Sequence, residues 1–160
     1  MSQFAIVVFL LLLAIPSIVQ AQDDLKVVLV AISVRDIDST ASWYKKYLGF
    51  ALTDKKDFPD YKVSVGMLQK GDVHIELVRH QESIAPSSVL PKLDNPAIIR
   101  GYGKIAYEVD DIGLTVRTLK ADGVKFITDL KEGSGKDFAG RKNCIVLDCD
   151  ANWVQLFQRK

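Results

Sequence analysis

The feature that most constrains this chain is a repeat. Val30–Ile37, VAISVRDI, aligns without gaps to Ile105–Ile112, IAYEVDDI, 75 positions later. Each is an alternating apolar segment ending near acidic residues, the pattern of a half-buried strand. Each runs into a helical pattern, with Ile37, Ala41, Tyr44 and Leu48 in the first and Ile112, Val116 and Leu119 in the second. Asp36 or Asp38 can cap the first helix and Asp110 or Asp111 the second, while Gly49 and Gly123 can stop them. Three strand-like runs follow each helix, at 50–53, 62–69 and 72–79, then at 124–130, 143–148 and 152–158. Each half therefore reads β-α-β-β-β. One helix covers one sheet face, and the second half is expected to cover the other.

The first 21 residues are a different material. Residues 4–15 carry no charge, Pro16 breaks the run, and Val19 and Ala21 are small residues around a cleavage point. Twelve residues fall short of the ~20 needed to span a bilayer. The segment reads as a secretory signal peptide, although its start, MSQ, lacks a basic residue; an N-terminal membrane anchor is the alternative. Residues 22–160 then form one exported domain, periplasmic or secreted, with no stable membrane association after cleavage. Module one spans about 26–80, a linker 81–100, and module two about 101–160. The linker holds Pro86, Pro91 and Pro96, which disfavour a strand. A net charge of +1 and the lack of any basic stripe exclude a nucleic-acid platform.

Cys144 and Cys149 are expected on one strand, about 17 Å apart and on opposite faces. A disulfide needs Cα atoms within about 7 Å, so both are expected as free thiols, and as core residues rather than reactive ones. The Gly-rich segment at 132–140 contains GSGK without full phosphate-loop spacing, and reads as a mobile loop over a site mouth.

The phrases VAISVRDIDSTASWYKKYLGF, VHIELV, YGKIAYEVDDI and DCDANWVQLF together resemble the vicinal oxygen chelate superfamily, which includes glyoxalases, extradiol dioxygenases, methylmalonyl-CoA epimerases and bleomycin-resistance proteins. The resemblance covers residues 26–160. It implies an α+β fold of two tandem βαβββ modules, a curved mixed sheet around a cleft. It also implies a divalent metal (Zn, Ni, Mn or Fe) held in that cleft from four strand positions, polarising two neighbouring substrate oxygens. Those positions fall on Leu29, Glu76, Lys104 and Gln155. Leu29 has no donor atom, Lys104 is a cation where a cation should bind, and Gln155 is a weak neutral ligand. Glu76 alone is a good one, and a usual site needs about three. The reading is therefore metal-free. Lys104 takes the metal's place in the cleft and pairs with Glu76, because a buried ammonium needs a partner; Gln155 hydrogen-bonds one of them. A shift between modules would instead leave Lys104 in water.

The alternative metal set is His74 with Glu76, two apart on one strand, helped by Glu108, Asp148 or water. His80 would lie about 13 Å from Glu76 along the strand, too far to join without a bend. Trp153 and Phe157 share parity with Gln155, and with Tyr102 and His74 they are expected to line the cleft. That wall and one lysine suit an aromatic or carboxylate-bearing small molecule. Three functions stay open. The first is metal-free small-molecule binding. The second is a lyase, isomerase or epimerase acting next to a carbonyl, with Glu76 as base and Lys104 stabilising the enolate. The third is a scaffold or dimerisation domain with a vestigial cleft. A homodimer is compatible with all three.

Overall fold

The computed structural model describes residues 27–89, 101, 103–133 and 140–160. The N-terminal apolar segment, most of the linker, Tyr102 and residues 134–139 of the Gly-rich segment lie outside them.

Module one runs β1 (Val30–Ser33), α1 (Ile37–Leu48), β2 (Ala51–Phe58), a 3-10 turn (Pro59–Tyr61), β3 (Val63–Lys70) and β4 (Val73–His80). A single helical turn, α2 (Pro86–Val89), leads into the linker. Module two runs β5 (Ile105–Val109), α3 (Ile112–Ala121), β6 (Phe126–Glu132), β7 (Lys142–Leu147) and β8 (Trp153–Gln158). The two four-stranded sheets have the same order, β1-β4-β3-β2 and β5-β8-β7-β6. In each the first strand pairs in parallel with the last, and the other rungs are antiparallel. This is the tandem βαβββ fold expected from the repeat. It is built as two sheets rather than one closed barrel. No helix among the described residues is long and apolar enough to cross a membrane.

Local chemistry sets the helix ends. Asp36 caps α1 from an extended backbone and accepts a 2.8 Å hydrogen bond from the Ser39 N–H. Gly49 ends it at φ 73°, a left-handed turn, and its N–H donates to Lys45 O. Lys70 Nζ adds a 2.7 Å bond to the Leu48 carbonyl, a cation at the negative end of the helix. Asp111 caps α3 in the same way as Asp36, through Leu114 N at 2.8 Å. α1 lies so close to its sheet that a Cβ on Gly66 would sit 2.6 Å from Ile37 Cγ2.

The modules meet through their helix-bearing faces, not through the opposite ones. Ile37, Tyr44 and Leu48 of α1, Leu68, Ile75 and Leu77 of the first sheet, Ile112, Val116 and Leu119 of α3, and Val146, Val154 and Leu156 of the second form one buried cluster. Tyr107 reaches across to Tyr44 and Phe50, with ring centroids 6.4 and 5.8 Å apart. The turn after β7 joins the halves by polar bonds. Asp150 accepts from Thr40 Oγ1 at 2.7 Å and from Arg35 N at 3.1 Å, and Asp148 accepts from Tyr44 OH at 3.4 Å. The expectation that each half covers the other's free sheet face is thus corrected. Helix burial is the larger apolar gain, and it leaves the second face of each sheet open.

Two strand boundaries also move. β2 runs to Phe58 rather than stopping at Thr53, because Thr53–Asp57 is an exposed edge held by rungs to β3 instead of by an apolar pattern. β7 ends at Leu147, so Cys149 sits in the following turn and is exposed, while Cys144 is fully buried. Both are free thiols.

Candidate functional site

A groove of about 830 Å³ opens on the free face of the second sheet. Strand alternation delivers its walls. Ala106 sits opposite Gln155, Glu108 opposite Phe157, Asn143 opposite Phe157 and Ile145 opposite Gln155, so these side chains share one face. Lys104, one position before β5, continues that face at the groove's edge, with Lys131 and Glu132 from β6 and Arg141 just before β7. Ile105, Tyr107 and Val109 take the other parity, and Tyr107 and Val109 pack against the core.

The floor is a short polar chain. Gln155 Nε2 donates to Asn143 Oδ1 at 3.0 Å, and Asn143 is 4% exposed. Asn143 Nδ2 reaches the Lys131 and Arg141 carbonyls at 3.4 Å. At one end, Arg141 Nη2 donates to Glu108 Oε1 at 2.5 Å and to the Gln158 carbonyl at 3.0 Å. The guanidinium lies 5.0 Å from the Phe157 ring centroid, a cation–π contact. Arg141 Nε is buried and finds no acceptor among the described residues, an unmet donor that costs about 1–3 kcal/mol. Arg159 holds the far side of Glu108 at 4.0 Å and Asp110 at 2.5 Å.

Away from the groove, Asp148 is the buried acid. It accepts from the backbone N–H of Asp150 and Asn152 and from Asn152 Nδ2, at 2.8–2.9 Å. Burial nonetheless holds its carboxyl above the usual range. Burial likewise raises the Tyr44 and Tyr107 hydroxyls and pushes the Cys144 thiol up to about 11.

Of the residues expected in the site, Lys104, Gln155 and Phe157 line the groove. Trp153 lies one rung further along β8, opposite Leu147 and outside the lining. Tyr102 lies outside the described residues. Glu76 and His74 belong to the first sheet, on β4. The expected Lys104–Glu76 pair is not formed. Lys104 is exposed, and among the described residues no ion pair within 4.0 Å involves either group. The reason is the packing above: the open faces of the two sheets do not converge within one chain. Sequence reasoning missed Arg141, Asn143 and Lys131. The β7 parity would have aligned Asn143 with Ile145, but the register against β8 is not written in either strand.

The family's metal does not fit these donors. Leu29 offers none, Lys104 brings a positive charge, and Gln155 is a neutral amide bound to Asn143, which leaves Glu76 as the one strong donor of the four positions. Nor does the His74–Glu76 alternative gather help. Glu108 is engaged by Arg141, Asp148 by its own turn, and His80 Nδ1 accepts from Glu82 N at 3.1 Å. Among the described residues no three His, Cys, Asp or Glu side chains cluster for a metal.

Two copies of one βαβββ unit, helices inside and a polar groove on an outer sheet face, define a duplicated small-domain scaffold. The chain belongs to the Glyoxalase/Bleomycin resistance protein/Dioxygenase superfamily, whose sequence model matches residues 26–156. It is 29% identical over 140 residues to glyoxalase I of Saccharomyces cerevisiae, covering 77% of this chain and 41% of that protein. It is 33% identical over 119 residues to an ethylmalonyl-CoA/methylmalonyl-CoA epimerase of Cereibacter sphaeroides, covering 74% of this chain and 82% of that one. The crystal structure of a glyoxalase family protein from Enterococcus faecalis superposes with a TM-score of 0.66 at 21% identity, covering 82% and 96% of the two chains. The chain thus spans less than half of the yeast enzyme's length.

Proposed function

We propose that this protein is an exported, metal-free small-molecule binder whose ligand occupies the groove of the second sheet. One observation carries the reading. The two groove positions that correspond to metal donors hold Lys104 and Gln155, so a cation and a neutral amide face the ligand where a metal would be held. Phe157 supplies an aromatic surface and Lys104 an ammonium, which together suit an aromatic or carboxylate-bearing ligand. The open face of the first sheet carries Glu76, and a homodimer that sets it against the partner's groove would close the site. Export rests on the apolar run of residues 4–15.

Native mass spectrometry of the purified protein tests this. The expected result is a retained small organic molecule and no stoichiometric divalent metal after chelator treatment and re-metallation. Tight zinc or nickel at one per chain overturns it. An empty groove together with a stable protein partner would place the chain among scaffolds.

A second reading is favoured by the relatives, a glyoxalase I and an epimerase. In it the chain abstracts a proton next to a carbonyl, with Glu76 as base and Lys104 steadying the enolate. Glu76 stands on the other sheet, so this reading requires the homodimer. Solvent-deuterium exchange into methylmalonyl-CoA, abolished by Glu76→Gln with binding kept, would establish it; exchange that survives Glu76→Gln removes Glu76 from the role.

A further inference from the structure

We propose that Arg141 reads the ligand's carboxylate, and that Glu108 holds its place while the groove is empty. The inference rests on the groove reading above and names the ligand group that the groove selects.

Three observations carry it. First, Arg141 is a partly buried cation in the groove wall, its side chain 14% exposed, and it is stacked on Phe157. A guanidinium in that setting is preorganised for a planar anion, since its fork matches a carboxylate in two hydrogen bonds. Second, the fork is only partly used. Nη2 serves Glu108 and the Gln158 carbonyl, while Nε is buried without an acceptor among the described residues. A carboxylate engaging two nitrogens would meet the demand that Glu108 leaves unmet. Third, Glu108 has somewhere to go. It is 49% exposed, and Arg159 Nε already lies 4.0 Å from its other oxygen. If the guanidinium swings toward a ligand, Glu108 keeps a cationic partner and is not stranded. Lys104 and Lys131, which make no side-chain ion pair among the described residues, add positive charge along the same groove.

The exchange is a swap of one carboxylate for another on the same guanidinium, with no proton or electron transferred. It predicts that the groove distinguishes a carboxylate from its neutral amide isostere. It also predicts that Glu108 competes with the ligand rather than helping it.

Benzoate and benzamide test this on the full chain, by titration calorimetry and by shifts of the Asn143 and Gln155 side-chain amide signals. The expected result is benzoate binding at least tenfold tighter than benzamide. Arg141→Met should lower benzoate to the level of benzamide, Arg141→Lys should keep part of the preference, and Glu108→Gln should tighten benzoate at least threefold. Equal binding of the two probes at the groove signals overturns the assignment to Arg141 and leaves the groove as the binding site. The assignment also falls if Arg141→Met keeps the tenfold preference, or if Glu108→Gln weakens benzoate. If neither probe moves those signals, both the groove reading and the assignment fail. Glu108→Gln keeps the test decisive if Arg141→Met does not fold.

Discussion

Glu76 and Gln155 occupy the same rung of two copies of one sheet. Glu76 pairs with Ala31 in parallel and Met67 in antiparallel, and Gln155 pairs with Ala106 and Ile145 in the same two senses. One position is an acid on an open face. The other is an amide on the floor of a groove. The duplication has kept the backbone and divided the chemistry, so the two sheets are not interchangeable as ligand surfaces.

Because the sheets face apart, Lys104 and Glu76 should be energetically independent within one chain. Lys104→Met and Glu76→Gln should each change stability by no more than about 0.5 kcal/mol. The double variant should equal their sum within about 0.5 kcal/mol. Urea unfolding of the four proteins measures it, at a concentration where the chain is monomeric. A coupling of 2 kcal/mol or more would mean that the pair forms after all.

Ala151 sits at φ 65°, in the left-handed region. Its N–H donates to Asp148 O at 3.2 Å, closing the turn that carries Asp148 and Asp150. A Cβ there costs about 1 kcal/mol that glycine avoids. Ala151→Gly should therefore raise the unfolding free energy by roughly that amount, against the usual penalty for added glycine. A loss of stability would show that the turn tolerates Ala151 without strain.

The two thiols should separate cleanly by reactivity. Cys149 is exposed in the turn and Cys144 is fully buried, with its thiol pushed up to about 11. A thiol reagent should label one cysteine in the native protein and two after denaturation, without reductant. Two labels in the folded state, or one after unfolding, would contradict this.

Asp148 should give stability an acid-side component. Burial raises its carboxyl above the unfolded value, so the folded state binds the proton more tightly. The favourable contribution is complete below the ordinary Asp value and fades as pH rises through the raised one. The stability difference between the native protein and Asp148→Asn should therefore shrink as pH rises across that window. Denaturant curves at a series of pH values from acid to neutral read it, and a difference that grows with pH would reverse the sign.

The chain should be cut close to Gln22 on export. Residues 4–15 form an uncharged apolar run, Pro16 breaks it, and Ala21 sits at the expected cut. N-terminal sequencing of exported protein checks this, and retention of residues 4–21 would indicate an anchor.

The repeat, the two helices and their caps were legible because they are local. Apolar periodicity, Asp36, Asp111 and Gly49 act within a few residues, and each does in the structure what its type prescribes. The parity of β5 was equally readable, and it put Lys104 and Ile105 on opposite faces. Other features were decided by partners distant in sequence. β2 is a strand through its charged stretch because β3 pairs with it. Arg141 enters the groove because β7 registers against β8, setting Asn143 opposite Phe157. Above all, nothing within either repeat says which sheet face the other module will cover. That choice follows from burying α1, α3 and Tyr107 together, an apolar gain spread over both halves. It is why Glu76 and Lys104, aligned by sequence to one cleft, stand on separate faces of the folded chain.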